Sequence, residues 1–159
     1  TVVAFLLMPF AIGCSNMSSK VGGVLNLDTD VKLQFVVSSH INPDEKDRPS
    51  PIYLRLYQLK SDIAFRKTGF IDLYENDKEK LGDQLISKTE LKPIAAGGSR
   101  DEQFVLNSET QYVALFAEFY QYKDAKYKII MPITKNNILQ NTFTVHIENN
   151  QLQLVSNNR

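Results

Sequence analysis

Val31-Lys32-Leu33-Gln34-Phe35-Val36-Val37-Ser38 sets the character of the chain: Val31, Leu33, Phe35 and Val37 alternate with Lys32, Gln34, Val36 and Ser38. A period of two puts one set on a covered face and the other toward solvent, which predicts a half-buried strand. Outward from this run the same period recurs. Ile52, Leu54 and Leu56 alternate with Tyr53, Arg55 and Tyr57, and Gln103-Phe104-Val105-Leu106 forms a short third run. Tyr112 to Gln121, YVALFAEFYQ, is apolar on nearly both faces with Glu118 as the exception, which predicts a central strand. Tyr127 to Ile133 follows, with Pro132 marking an edge or an end. Phe143, Val145 and Ile147 alternate with Thr142, Thr144 and His146, and Gln151 to Leu154 closes the series after Asn149-Asn150. Asn tolerates positive φ, so this pair predicts a hairpin turn.

Only Ser61 to about Leu85 departs from the pattern. Ser61 is suited to cap a short helix over Asp62 to Phe65, and Asp62 suits its positive end. Phe70, Leu73 and Tyr74 stand at helical spacing, predicting a second short helix, and Asp77-Lys78-Glu79-Lys80 reads as a solvated run. About seven strands with one helical insertion, at about 61–85 after the second strand, predict an all-β two-sheet sandwich over residues 31–159.

At 159 residues and 43% hydrophobic composition the chain suits one domain with its own core. Lys and Arg number 18 and Asp and Glu 18, so the basic excess of a nucleic-acid binder is missing. A single Cys, Cys14, excludes an intrachain disulfide framework and any zinc site built on two thiolates. No G-x-S-x-G elbow, P-loop or H-E-x-x-H occurs, and no nucleophile is placed to use His40 or His146. Asp44, Glu45 and Asp47 cluster without the order of a calcium loop, and Lys46 and Arg48 interleave with them, so neither metal binding nor catalysis is expected there.

Thr1 to Gly13, TVVAFLLMPFAIG, is uncharged and too short to span a bilayer, which needs about 20 apolar residues. It fits the apolar core of a secretory signal peptide at 1–13 whose start, lacking an initiator Met and basic residues, is expected to be truncated. The run ends in Ala11-Ile12-Gly13-Cys14, which resembles the lipobox of bacterial lipoproteins. That resemblance implies cleavage before Cys14 and acylation of Cys14, the only cofactor-like group expected. Several acyl chains at about 0.8 kcal/mol per buried CH₂ suffice for a stable anchor. Ser15 after the Cys favours the outer membrane by the same resemblance. Residues 14–30, rich in Ser, Asn and Gly, read as a tether, with Val24, Leu25 and Leu27 suited to dock its end on the domain.

Between the first two strands lies the stretch His40-Ile41-Asn42-Pro43-Asp44-Glu45-Lys46-Asp47-Arg48-Pro49-Ser50-Pro51. It is long for a hairpin, and its three prolines stiffen it by fixing φ, as suits a binding element; an ordinary polar crossover between sheets is the plainer alternative. Asn42-Pro43-Asp44, Arg48-Pro49-Ser50-Pro51-Ile52 and Arg55-Leu56-Tyr57-Gln58-Leu59-Lys60-Ser61, in one order, resemble the signature of the TssJ family, outer-membrane lipoproteins of the bacterial type VI secretion system. The likeness continues through Phe65, Phe70, Leu73-Tyr74, Leu81-Gly82, Tyr112-Val113-Ala114, Ala117 and Asp124-Ala125-Lys126-Tyr127. The chain departs from the family pattern at Tyr127, where Trp is common, and at Pro93 to Gly98.

The resemblance implies a transthyretin-like sandwich held at the periplasmic face of the outer membrane by the lipid on Cys14. It also implies a partner, the periplasmic domain of the inner-membrane protein TssM, met by the loop from His40 to Pro51. The function so implied is mechanical docking, not catalysis. The residues alone also allow a periplasmic lipoprotein holding a small molecule between its sheets, which a deep apolar pocket would favour.

Overall fold

The run that opens the sequence reading forms β1, Asp30–Ile41, and Val31, Leu33, Phe35 and Val37 are all buried along it. The structure, a computed structural model, describes residues 29–135 and 141–155. In chain order the further elements are β2 Leu54–Leu59, α1 Ile63–Lys67, α2 Phe70–Leu81, a 3₁₀ turn Gly82–Gln84, β3 Leu85–Glu90, β4 Ser99–Val105, β5 Tyr112–Ala117, β6 Lys128–Pro132, β7 Asn141–Asn149 and β8 Gln151–Val155. The strands form two four-stranded sheets, ordered β4-β1-β7-β8 and β3-β2-β5-β6. Pairing is antiparallel except between β1 and β7.

Two apolar layers hold the fold. Between the sheets, Leu33 and Phe35 of β1 and Val145 of β7 pack with Leu54, Leu56, Val113, Leu115 and Met131. On the far face of the second sheet, Tyr57, Leu59, Ala114 and Phe116 pack against Phe65, Phe70, Leu73 and Leu81 of the helical insertion. The insertion is thus a third layer, and β5 is covered on both faces, which is why its sequence is apolar throughout. Fully burying a Leu or Phe side chain is worth roughly 1.5–3 kcal/mol, so the helical layer is an integral part of the stability. Phe70 anchors it, with ring centroids 4.2 Å from Tyr122, 5.1 Å from Phe116 and 5.1 Å from Tyr127.

Lys128 closes α1 from the sheet side: its ammonium donates to the carbonyls of Phe65, Arg66 and Thr68 at 3.0, 2.8 and 2.7 Å. A cation there complements the negative end of the helix. Burial, joined by the nearby Arg66 charge, moves the Lys128 ammonium below the usual lysine range.

The two-sheet sandwich and the insertion lie where the pattern placed them, and Pro132 ends β6. The Asn149 turn also matches: φ is +49° and β7 pairs directly with β8. Other boundaries differ for physical reasons. β3 had no clear signal, because Leu85-Ile86-Ser87-Lys88-Thr89-Glu90 is a half-covered edge strand without strict alternation. β2 begins at Leu54, Ile52 forming only an isolated bridge to Ile94. Tyr57, placed on a solvent face by alternation, is fully buried under the helices. The central strand stops at Ala117, where Glu118 turns to meet Arg55. The solvated run at 77–80 is instead the second half of α2, with Asp77 buried. The N-cap of α1 is Asp62, not Ser61, although Ser61 Oγ accepts from the Ile63 amide at 3.4 Å.

Candidate docking pole

Ile41 carries the chain out of β1 into Asn42, whose φ of +44° lies in the left-handed region that Asn tolerates. Asn42 is 1% exposed, and its backbone N–H and both polar atoms of its side chain are hydrogen-bonded. Its amide N–H donates to Asn149 O at 2.8 Å, its Nδ2 donates to Pro51 O at 3.0 Å, and its Oδ1 accepts from the Tyr120 amide at 2.8 Å. One side chain thus ties together the start of the loop, its end, and the segment that leaves β5.

Asp44 does the same for the loop tip. Its Oδ1 accepts from the amides of Lys46 and Arg48 at 2.8 and 3.0 Å, and its Oδ2 accepts from Arg48 Nε at 2.9 Å. Asp47 donates its amide to Asp44 O at 3.0 Å, with φ +59°, and Ser50 donates back to Ile41 O at 3.2 Å. The Arg48 side-chain hydrogen bond, followed by the Arg48 backbone amide, lowers the Asp44 carboxyl to about 2. His40 Nε2 lies 3.5 Å from Asp47 Oδ1, and Gln121 Nε2 donates to the carbonyls of Pro43 and Asp44 at 3.4 and 3.3 Å. The loop is therefore a projection ordered in advance by its own hydrogen bonds.

The twelve residues singled out by sequence divide in two. Glu45, Lys46, Asp47, Arg48, Pro49 and Pro51 are exposed, and His40, Asp44 and Ser50 partly so. Ile41, Asn42 and Pro43 are buried, so they shape the loop and cannot present a surface. Cys14, the signal segment and the tether through Asp28 lie outside the described residues. Among the described residues no three of His, Cys, Asp and Glu are grouped to hold a metal ion, and no helix is long and apolar enough to cross a membrane.

Beside the loop opens a cleft of about 440 Å³ that the sequence did not announce, lined by Asn42, Tyr53, Phe70, Tyr74, Glu118, Phe119 and Tyr120. Tyr53, Tyr74 and Tyr120 are 53, 47 and 70% exposed. Their signal was diluted across three distant segments. Behind the cleft lies a buried ionic cluster. Arg55 Nε donates to Glu118 Oε1 at 2.6 Å, and its Nη1 reaches Asp77 Oδ2 at 3.2 Å and the carbonyls of Leu73 and Tyr74 at 3.1 and 3.0 Å. Asp77 Oδ2 also accepts from Tyr57 Oη and Lys88 Nζ, each at 2.9 Å. α2 breaks at Asn76, φ −131° and ψ +29°. A continuous helix would pair the Leu73 and Tyr74 carbonyls with the amides of residues 77 and 78, so the Arg55 cation caps the first half of a kinked helix. Burial works to raise the Asp77 carboxyl, but the hydrogen bonds from Lys88 and Tyr57 outweigh it, leaving it lowered. Burial and the bond to Asp77 push the Tyr57 hydroxyl well above the usual tyrosine range. Arg55, Tyr57 and Gln58 of the sequence signature are therefore scaffolding; Gln58 Oε1 accepts from the Asn107 amide and Thr110 Oγ1, each at 2.8 Å.

Comparison with known proteins agrees with this geometry. Residues 29–150 match the family model described as type VI secretion lipoprotein, VasD, EvfM, TssJ, VC_A0113. Among solved structures, the chain is similar to the type VI lipoprotein TssJ1 of Pseudomonas aeruginosa at TM-score 0.75 and 20% identity, over 83% of this chain and 98% of that one. It is similar to Serratia marcescens Lip, a membrane-bound component of the same system, at TM-score 0.75 and 18% identity, over 83% and 99%. It also resembles a chain of a structure described as the TssM C-terminal domain from EAEC, at TM-score 0.67 and 17% identity, over 80% and 98%. No curated protein sequence gives a match. These identities carry the fold, and the family model carries the membership: the chain belongs to the TssJ family of type VI secretion lipoproteins.

Proposed function

We propose that this chain is the outer-membrane anchor of a type VI secretion membrane complex, held by acylated Cys14 and docking the periplasmic domain of TssM through the exposed residues of the 40–51 loop. The observation that carries the reading is the placement of that loop. The chain comes into the sandwich at Thr29, whose carbonyl accepts from the Leu106 amide at 2.9 Å, and leaves β1 at the opposite end. Twelve residues of strand separate the two, about 40 Å at ~3.3 Å per residue. A tether at one pole and a stiff charged loop at the other suit a protein that links two layers. A structure described as a type VI membrane complex also includes a chain similar to this one, at TM-score 0.70, which supports a place in such an assembly. The interior argues against the small-molecule alternative: Leu33, Leu56, Val113, Leu115 and Val145, which face one another between the sheets, are all 0% exposed.

Cys14→Ser is expected to release the protein from membranes, read by fractionation; retention in the outer membrane overturns the anchor. Replacing Glu45, Lys46 and Asp47 by Ala, all exposed, is expected to weaken binding of the TssM periplasmic domain in calorimetry while circular dichroism stays unchanged. Undiminished affinity overturns the loop contact.

A further inference from the structure

The 40–51 loop shares its pole with the tyrosine-lined cleft. The cleft beside it has a buried apolar floor of Phe70 and Phe119, and its rim carries Tyr53, Tyr74 and Tyr120, all substantially exposed. Glu118 stands in the wall, 23% exposed at its side chain. Arg55 engages Oε1 of Glu118, and Oε2 has no hydrogen-bond partner among the described residues. The cluster behind that wall holds three carboxylates, Asp77, Glu90 and Glu118, against two cations, Arg55 and Lys88. The loop on the other side holds Asp44, Glu45 and Asp47 against Lys46 and Arg48. The lining of the cleft itself holds one carboxylate, Glu118, and no lysine or arginine, although the chain as a whole is neutral.

Aromatic faces attract cations, and the attraction grows where water is excluded. Arg55 already shows this chemistry within the protein, its guanidinium carbon 5.2 Å from the Tyr74 ring centroid. A carboxylate with one open oxygen, three exposed tyrosine rings and a lining without a cation together complement a positive side chain with an apolar neighbour.

We propose that the cleft between the 40–51 loop and α2 is a second docking site, and that it takes a segment of the protein partner bearing a lysine or arginine. The basic group lies against the Tyr53 and Tyr120 rings toward Glu118 Oε2, and the adjacent apolar side chain rests on Phe119 and Phe70. Tyr74 is held in place from behind by Arg55. The proposal rests on the docking reading above, since it extends the same pole.

Calorimetry of the full mature chain in detergent with the TssM periplasmic domain, at low and high salt, tests it. Tyr53→Ala with Tyr120→Ala, at exposed positions that leave the core intact, is expected to weaken binding about tenfold or more. Tyr53→Phe with Tyr120→Phe is expected to retain it, because the ring faces and not the hydroxyls carry the contact. Glu118→Gln is expected to flatten the salt dependence. Affinity of the double Ala variant within about twofold of the parent overturns the cleft site, and an unaltered salt dependence in Glu118→Gln overturns the cationic occupant. The Glu45, Lys46 and Asp47 variant separates the two readings: if it weakens binding while the tyrosine variants do not, only the cleft proposal fails.

Discussion

The two connections that flank β2 solve the same problem in opposite media. Before β2, the 40–51 loop satisfies its backbone with side chains at the surface: Asp44 accepts two amides, and Arg48 neutralises it in full view of water. After β2, the insertion buries one of its charges, Asp77, against Arg55 of β2, the two side chains being 8 and 12% exposed. Exposed ion pairs are worth little to global stability and can be remodelled without unfolding the domain. Buried ones are costly to desolvate and costlier to break, because removing one partner strands the other. The exposed tip of the loop is therefore open to substitution, whereas the insertion holds the second sheet's outer core.

Three expected outcomes sharpen the contrast, and each could break it. The largest effect belongs to Arg55→Ala, which leaves Glu118 without its cation, leaves Asp77 with only Lys88 and Tyr57, and uncaps the Leu73 and Tyr74 carbonyls; a loss of about 3–5 kcal/mol in urea denaturation is expected. A loss below about 1 kcal/mol would mean that the cluster is no more critical than a surface pair. Next comes Asn42→Ala, which removes the bonds to Pro51 and Tyr120 and places Ala at positive φ, expected to cost about 2–3 kcal/mol and to release the loop locally. Exchange of the amides of Asp44, Lys46, Asp47, Arg48 and Ser50 should rise in that variant while β5 stays protected.

The smallest effect is that of pH on the loop tip. Asp44 is lowered from 3.8 to about 2, so its contribution is fully present above pH 4 and is lost as pH falls through about 2. A carboxylate titration of Asp44 followed by nuclear magnetic resonance is expected to show its midpoint near 2, with the Lys46 and Arg48 amides moving together with it. A midpoint near 4 would show that the tip is not held by Asp44.

The loop was legible in the sequence as a position and only partly as a surface. Its length and the prolines at 43, 49 and 51 mark it as a stiff connection by chemistry local to the chain. Nothing local says that Ile41, Asn42 and Pro43 face inward, because the groups that bury them come from Tyr120 and Asn149, far along the chain. Lys78 and Lys80 made 77–80 look solvated, and only the arrival of Arg55, Tyr57 and Lys88 from two strands turns Asp77 into a core residue.

By itself the sequence determined what depends on near neighbours: the strand character of 31–37, the helical break at 61–85, the Asn149 turn, and the family signature around β2. Tertiary structure alone decided the third layer on the second sheet, the kink at Asn76, the inward half of the loop and the tyrosine-lined cleft. Periodicity reports how many faces of a strand are covered and never what covers them. The cluster of Arg55, Asp77, Lys88 and Glu118 exists only once four segments meet, so its energy belongs to the packing and to no single stretch of chain.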